Sequence, residues 1–461
     1  MSSAFNVSHP TVTARVRPVV IAALALAVAA AAPAGAQQPV VLTLGGAARL
    51  AAENSAAPQA ARLRADQAEA RVRQSKAAFL PEVSGDVFEG EHTFNSASFG
   101  INFADPTTGK FLFDPNGQVL GPVRTYDIRG TIAQTIYDPA AFAKLKAARA
   151  VSAAYGDEAE AQSQGAAAMA AMVYVRVLRA DAQLSARIAD STLAEELLGI
   201  ARDQLSAGTG IALDVTRAES QLAASRAQII AARNERDRAR LDLRRALGLP
   251  LNAAVTLADS LPGLPTNGAL PTEQEATDRA LRTRADLRSA DAQIAAAQRQ
   301  IESIKSERLP ALTAFIDQGP TSSSTSHLVS TYDWGIKLSV PMFDGFRREG
   351  RIEEQQAAVQ ELGVRKRDLA EQAAIDVSGA LLDLSSAREE LAATEERLRL
   401  AEQELAQARD RFRSGVSGNA DVITASLSLN AARTQIVDSR AAFQSARVAL
   451  ARAQGTVTDL P

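Results

Sequence analysis

The chain repeats itself. Residues around Gly208 recur 207 positions later around Gly415: Asp214-Val215 falls on Asp421-Val422, Leu222 on Leu429, Arg226 on Arg433, Gln228-Ile229 on Gln435-Ile436 and Gly248 on Gly455. Arg202-Asp203 stands ahead of the first glycine and Arg409-Asp410 ahead of the second. Upstream, Lys76 with Leu80-Pro81 recurs as Lys305 with Leu309-Pro310, and Ile136-Tyr137-Asp138 as Met342-Phe343-Asp344. Two ordered copies of about 200 residues are too long for a solenoid repeat and predict a doubled unit with internal pseudo-symmetry.

The N-terminal segment 1–36 has the pattern of a secretion signal. Arg15 and Arg17 precede an apolar run from Val19 to Ala32, and Ala34-Gly35-Ala36 offers a small-residue cleavage site before Gln37. That run is short of the roughly 20 residues a spanning helix needs. No later stretch is long and apolar enough to span as a helix, so any entry into a membrane must be made by strands. The absence of cysteine excludes disulfides, thiolate metal sites and a thiol-linked lipid anchor. His92 and His327 are isolated, so no metal site is expected. The formal charge is −3 with both signs well mixed, and no basic stripe points to nucleic acid.

Aromatic residues are few and clustered. Of twenty, ten lie in 79–142 and five in 315–346. The rest of the chain is Ala, Leu, Arg, Glu and Gln, which is helix-forming material. The first copy is placed at 37–248, a Pro/Gly-rich linker at 249–272, and the second copy at 273–461. Helices are predicted over 42–79 and 273–308, each closed by Leu-Pro. A β-hairpin follows in each copy, over 82–137 and 311–343. Tyr126, Ile128, Ile132 and Ile136 alternate with Asp127, Arg129 and Thr131. Tyr332, Trp334, Ile336 and Leu338 alternate with Asp333, Gly335 and Lys337. Such alternation with aromatic residues near the ends is the mark of a transmembrane β-strand. Stretches of about 70 residues, 138–207 and 344–414, then predict helices roughly 100 Å long. Each ends at a glycine turn, from which a shorter helix returns, 213–247 and 421–457. The returning helix of the first copy is expected to continue through the linker into 273–308. That of the second is expected to continue into 42–79.

Four strands cannot close a membrane barrel, because an open edge in lipid leaves backbone groups unpaired. Two copies would give eight strands, whose interior side chains just fill; three give twelve and leave a lumen. A homotrimer is therefore the simplest assembly. The predicted fold is mainly α with a small transmembrane β part: a duplicated, trimeric channel-tunnel whose 12-strand barrel, four strands per chain, continues into a long helical barrel.

The order of parts resembles the TolC family of outer-membrane efflux proteins over nearly all of the chain after the signal: helix, Leu-Pro, β-hairpin, aromatic-Asp junction, long helix, Gly turn, Asp-Val, helix, twice over. Val340-Pro341-Met342-Phe343-Asp344-Gly345 and Ala246-Leu247-Gly248-Leu249 are similar to that family's patterns. The resemblance implies a trimeric duct in the outer membrane and periplasm that docks to a periplasmic adaptor and an inner-membrane pump or exporter. It serves small-molecule efflux or type I protein secretion. Two departures stand out: no cysteine for a lipid anchor, and a long first hairpin loop at 95–122.

No enzyme constellation is present: no His beside a nucleophile, and no phosphate-binding loop between strand and helix. No catalytic residue, cofactor or metal is expected. Asp214 and Asp421 fall in the first turn of each returning helix, where an acid complements the helix N-terminus for roughly 0.3–1 kcal/mol. They are also the gate candidates, since three copies of Asp421 would ring a tapering pore with carboxylates. The resemblance matches the second-copy aspartate to the family's constriction; Thr424 stands where a second acid is common. Arg202, Arg409, Gly208 and Gly415 are candidates for turns and for contacts between hairpins or with an adaptor, against a plain reading as solvated helix faces and helix-ending turns. Tyr126, Tyr332, Trp334 and Phe343 are expected at the membrane interface, in contact with lipid, with packing between neighbouring subunits as the alternative. The rival reading is a periplasmic coiled-coil scaffold or adaptor with a small β domain.

Overall fold

The computed structural model describes residues 40–99, 104–108, 111, 114, 116–414, 416 and 418–461. The expected signal and Gly415 lie outside them. The first copy runs β1 (Val40–Leu42), α1 (Leu44–Asn54), α2 (Ala56–Ala77), β2 (Glu82–Asn95), β3 (Val119–Tyr137), α3 (Pro139–Ser206) and α4 (Ala212–Ala246). The segment between the copies carries β4 (Val255–Leu257), and the second copy runs α5 (Glu273–Thr283), α6 (Ala285–Ser306), β5 (Ala311–Ser322), β6 (Val329–Ser339), α7 (Arg347–Arg413) and α8 (Asn419–Gln454).

The long helices are α3, of 68 residues, and α7, of 67. At 1.5 Å per residue each reaches about 100 Å. Asp138 caps α3 by accepting from the Ala141 amide, and Pro139 sits in the first turn, where no backbone partner is lost. Much of the buried face of α3 is alanine, from Ala141 to Ala201, which lets neighbouring helices approach closely. The α3/α4 hairpin buries an apolar seam that includes Leu198 and Leu222. The seam of the α7/α8 hairpin, with Leu405, Phe412 and Leu429, is shared with Leu193 and Leu197 of α3.

Both expected upper helices are broken. The segment 42–79 divides at Ser55 and 273–308 divides at Arg284; both residues are extended, with ψ of 157° and 122°. The breaks are repeat equivalents, at the offset that relates Lys76 to Lys305. Each receives the end of a returning helix. Gly248, left-handed at φ +68°, lies so close to the first break that a Cβ would sit 2.2 Å from the Asn54 carbonyl oxygen. Gly455, at φ +69°, abuts Arg284, with the corresponding distance to its Cα 3.1 Å. Thus α4 continues upward into α2, and α8 into α6. The expected exchange between copies is incorrect; each copy completes itself.

The reason lies in 249–272, which is more than a linker. Within it, β4 pairs in parallel with β1, from Val40↔Val255 to Leu42↔Leu257. Leu261 and Leu264 are buried in the core that α1 and the middle of α3 share. This segment carries the chain sideways into a collar at mid-height, where the Gly45 amide also donates to the Pro461 carbonyl at 2.8 Å. At the collar centre the buried Tyr174 hydroxyl donates to the Leu42 carbonyl (2.8 Å) or to Asp259 Oδ2 (2.9 Å), which also accepts from the Leu44 amide.

The strands form one antiparallel sheet in the order β2-β3-β5-β6. Register places Val83, Ile132, Ile316 and Trp334 in one row across it, on the face that also carries Val87, Ile128, Ile336 and Leu338. All eight are exposed in the chain. The opposite face carries Asp127, Arg129, Asp317 and Lys337, with Arg129 bridging Asp317 at 2.6 Å and Asp127 at 3.1 Å. Each outer strand, β2 and β6, has one neighbour and one open edge. No helix among the described residues is long and apolar enough to cross a membrane. The second hairpin's strand stops at Ser339, short of the expected 343, as Pro341 has no N–H for the ladder.

Gly248→Ala is expected to lower the thermal midpoint by the equivalent of about 1–3 kcal/mol, from the left-handed φ and the Asn54 contact together. Circular dichroism melting of the detergent-solubilised protein measures it; an unchanged midpoint would refute the abutment of α4 on the Ser55 break.

Candidate pore tip and inter-hairpin contacts

At the far end of the helices from the sheet, two turns lie side by side. The first is built by Gly208, left-handed at φ +73°, with the Thr209 and Gly210 amides both donating to the Gln204 carbonyl. The second closes with the Val416 amide donating to the Arg411 carbonyl. Two weak amide contacts join them: Asn419 Nδ2 to the Asp214 carbonyl (3.3 Å) and Gln204 Nε2 to the Phe412 carbonyl (3.4 Å).

The two repeat-equivalent aspartates stand at these turns, each in the first turn of its helix. They are not electrostatically equivalent. Asp214 is partly buried and has Arg217 three residues on, 3.8 Å away. The equivalent of Arg217 is Thr424, and Asp421 is exposed with no cation beside it among the described residues. The uncompensated carboxylate is therefore in the second hairpin.

Arg202 is satisfied within its own hairpin, bridging Glu219 of α4 at 2.7 Å with both side chains at least half exposed. Such a pair contributes little stability. Arg409 reaches instead from α7 to Glu196 of α3 and ties one hairpin to the other.

Higher up, a cluster that the sequence did not disclose joins the same hairpins. The Asp190 carboxylate on α3 is 1 % exposed. It accepts from Arg433 on α8 at 3.1 Å and from Arg187 at 3.3 Å, and the Asn430 amide, turned to face it, donates at 2.7 Å. Arg187 also donates to Thr434, and Arg179 and Gln183 of α3 both reach Asp438 of α8 at 2.8 Å. Burial pushes the Asp190 carboxyl above the usual carboxylate range, against the pull of Arg433 and Arg187. Arg433 belonged to a visible repeat pair, but its partner is more than 240 residues away in sequence.

The aromatic candidates sit at two levels of the sheet. Tyr126 is level with Ser322, the last residue of β5, and carries the Arg124 guanidinium 5.1 Å above its ring. Tyr332 and Trp334 lie on the same apolar face, towards the loop end of β6, and both are exposed. Phe343 is at the helix end, packed edge-on against Phe346 at 5.5 Å.

A family model described as outer membrane efflux protein matches residues 47–249 and 276–456. The chain belongs to this family. Efflux-protein relatives include the alkaline protease secretion protein AprF of Pseudomonas aeruginosa, 25% identical over 47% of this chain and 46% of the relative. The pyoverdine export outer membrane protein OpmQ of the same species is 28% identical over 37% of this chain and 35% of the relative. The matches thus span less than half the length of either relative. The solved outer membrane protein VceC of Vibrio cholerae superposes with a TM-score of 0.69 at 18% identity, covering 89% of this chain and 96% of that one. The likeness in fold extends over nearly the whole of both chains. Outer-membrane efflux proteins are transport proteins of the outer membrane that extend into the periplasm, so the reading as a periplasmic scaffold or adaptor is set aside.

Asp190→Ala is expected to cost about 1–3 kcal/mol, since Arg433 and Arg187 lose their shared acceptor but keep some access to water. Because the folded carboxyl titrates above its unfolded value, the folded protein holds a proton across that interval that the unfolded chain has released. Stability therefore falls as pH rises through the interval. Thermal midpoints taken from neutral pH downward should shift in favour of the native chain relative to Asp190→Asn.

Proposed function

We propose that three copies of this chain assemble into a single duct, and that Asp421 sets its periplasmic constriction. The sheet is the observation that carries the reading: one apolar face, one charged face and two open edges. In lipid an open edge leaves amides and carbonyls unpaired, at several kcal/mol for each group. Pairing β6 of one copy with β2 of the next satisfies both edges, turns the apolar faces to lipid and encloses the Arg129 face around a lumen. Three four-stranded sheets make a barrel wide enough for passage. Continued by helices about 100 Å long, the duct reaches across the periplasm. It acts by passage and electrostatics, with no chemical step.

The duct works with a periplasmic adaptor and an inner-membrane transporter, which dock at the turns around Gly208 and Gly415. The two named relatives serve protease secretion and pyoverdine export, and both cargoes suit an exit duct of this kind. At the tip, three Asp421 carboxylates without countercharges favour cations and repel one another, whereas Asp214 is partly compensated by Arg217. Arg409 and the Asp190 cluster fix the second hairpin to the first above that point.

Native mass spectrometry in mild detergent tests the assembly: a trimer mass is expected, and a stable monomer would overturn the reading. In a planar bilayer, Asp421→Asn should weaken cation selectivity and raise single-channel conductance by roughly twofold, while Asp214→Asn changes both less. Equal effects from the two substitutions would remove Asp421 from the constriction.

A further inference from the structure

The lysines of this chain are placed differently from its arginines. Of seven lysines, four lie within one short zone where helices meet strands: Lys76, Lys144, Lys146 and Lys305. Lys76 and Lys305 are repeat equivalents, each six residues ahead of its strand, β2 or β5. Lys144 and Lys146 lie in the first turns of α3, just after β3 ends. None of the four has an ion pair among the described residues. Lys366, in the helical body, is paired with Asp291. Four arginines of the same zone are paired as well: Arg299 with Glu302, Arg308 with Glu349, Arg348 with Asp344 and Arg351 with Glu307. A guanidinium suits a fixed carboxylate partner, whereas an ammonium is a compact, hydrated point charge on a flexible stem.

We infer that Lys76, Lys146 and Lys305 bind the phosphates of anionic phospholipids in the leaflet facing the periplasm. The inference rests on the sheet spanning the outer membrane and names its lipid partner on one side. Six residues of chain place Lys76 and Lys305 about 10 Å below the first residues of β2 and β5, and nine place Lys146 about 13 Å below the end of β3. The polar layer beneath the hydrocarbon core is roughly 5–8 Å deep, and a lysine stem reaches upward into it.

One site is built around Lys146. A cavity of about 430 Å³ opens at the foot of the apolar sheet face, lined by Phe79, Ile136, Phe142, Lys146 and Glu302. Ile136 ends the apolar row of Ile128 and Ile132. Phe79 and Phe142 pack edge-on at 6.5 Å, and the Lys146 ammonium lies 4.8 Å from the Phe142 ring centre. Both acids at the cavity are already engaged: Glu302 with Arg299 at 2.7 Å, and Asp138 with the Ala141 amide at 3.0 Å. An acyl chain continuing from the apolar face and a phosphate on Lys146 fit this combination. Lys305 is three residues from Glu302 and so lies on the same broad side of α6. Lys144 is about 200° around α3 from Lys146 and points elsewhere; it is the control.

The experiment titrates the detergent-solubilised protein with dioleoylphosphatidylglycerol and follows the thermal midpoint. Dioleoylphosphatidylcholine and glycerol phosphate serve as comparisons. Phosphatidylglycerol alone should raise the midpoint of the native chain. In the triple Lys76→Gln, Lys146→Gln, Lys305→Gln variant its apparent affinity should fall by about tenfold or more, while Lys144→Gln is unchanged. The triple Lys→Arg variant keeps the charge and should keep the response, which guards against a folding defect in the glutamine set. Equal affinity in the native and triple-glutamine proteins would overturn the inference, as would an equal response to glycerol phosphate. Channel conductance, measured on the same proteins, reports on the duct separately: a conducting variant that has lost the lipid response confirms both, and a conducting one that retains it rejects the lipid site alone.

Discussion

Everything in this chain depends on where the backbone groups at the edges of a four-stranded sheet find partners. Strands β2 and β6 each offer a row of amides and carbonyls with nothing beside them in the chain. In water that row would be solvated. Against hydrocarbon it must be paired by protein, because nothing else there can donate or accept. In the proposed assembly the apolar face of the sheet lies against lipid, and each open edge is paired by the next copy. The helices follow from the same point, since each strand passes within a few residues into α2, α3, α6 or α7. Closing the sheets into the proposed barrel would set the helices in a ring.

Duplication eases this assembly without making the two halves identical. The sheet is symmetric enough that β3 and β5 join the hairpins in one ladder, and the two glycines at the helix ends each seat against an equivalent break. Charge is where the halves diverge. Arg217 has become Thr424 in the second copy, which leaves Asp421 exposed and uncompensated, and Arg433 turns from its own hairpin to a buried acid on α3. Similar backbones with different electrostatics thus separate the two hairpins, and the proposed constriction rests on that difference.

The ionic ties between the hairpins differ along their height. Arg179–Asp438, the higher one, is well exposed, and the one below it around Asp190 is buried and shared among two arginines and an amide. Below it lie the more exposed Arg409–Glu196 pair and then two weak amide contacts at the turns. Buried charge networks are expensive to break, and exposed contacts are not. From Asp190 to the turns the polar ties between the hairpins therefore weaken, and the apolar cluster of Leu193, Leu197, Phe412 and Val422 carries the contact there.

Sequence alone determined the doubled order of parts, the alternation that makes strands two-faced, the length of α3 and α7, and the turns that end them. These are local or periodic properties: side-chain alternation, helix propensity, proline and glycine all act within a few residues. It also located the acids at the tip, because they recur. Tertiary structure decided what joins what. The break at Ser55 has a local mark that the helix expected over 42–79 overlooks, since Pro58 has no N–H for the Asn54 carbonyl and its ring crowds it. The break at Arg284 carries no proline or glycine and lies where a returning helix abuts it, so no local pattern marks it. Residues 249–272 read as a linker because a three-residue parallel strand has no periodicity; only pairing with Val40–Leu42 makes it a strand. Asp190 was one acid among many on a charged helix until α8 was laid against it. A contact between residues hundreds of positions apart is fixed by packing, and packing is what a one-dimensional pattern does not contain.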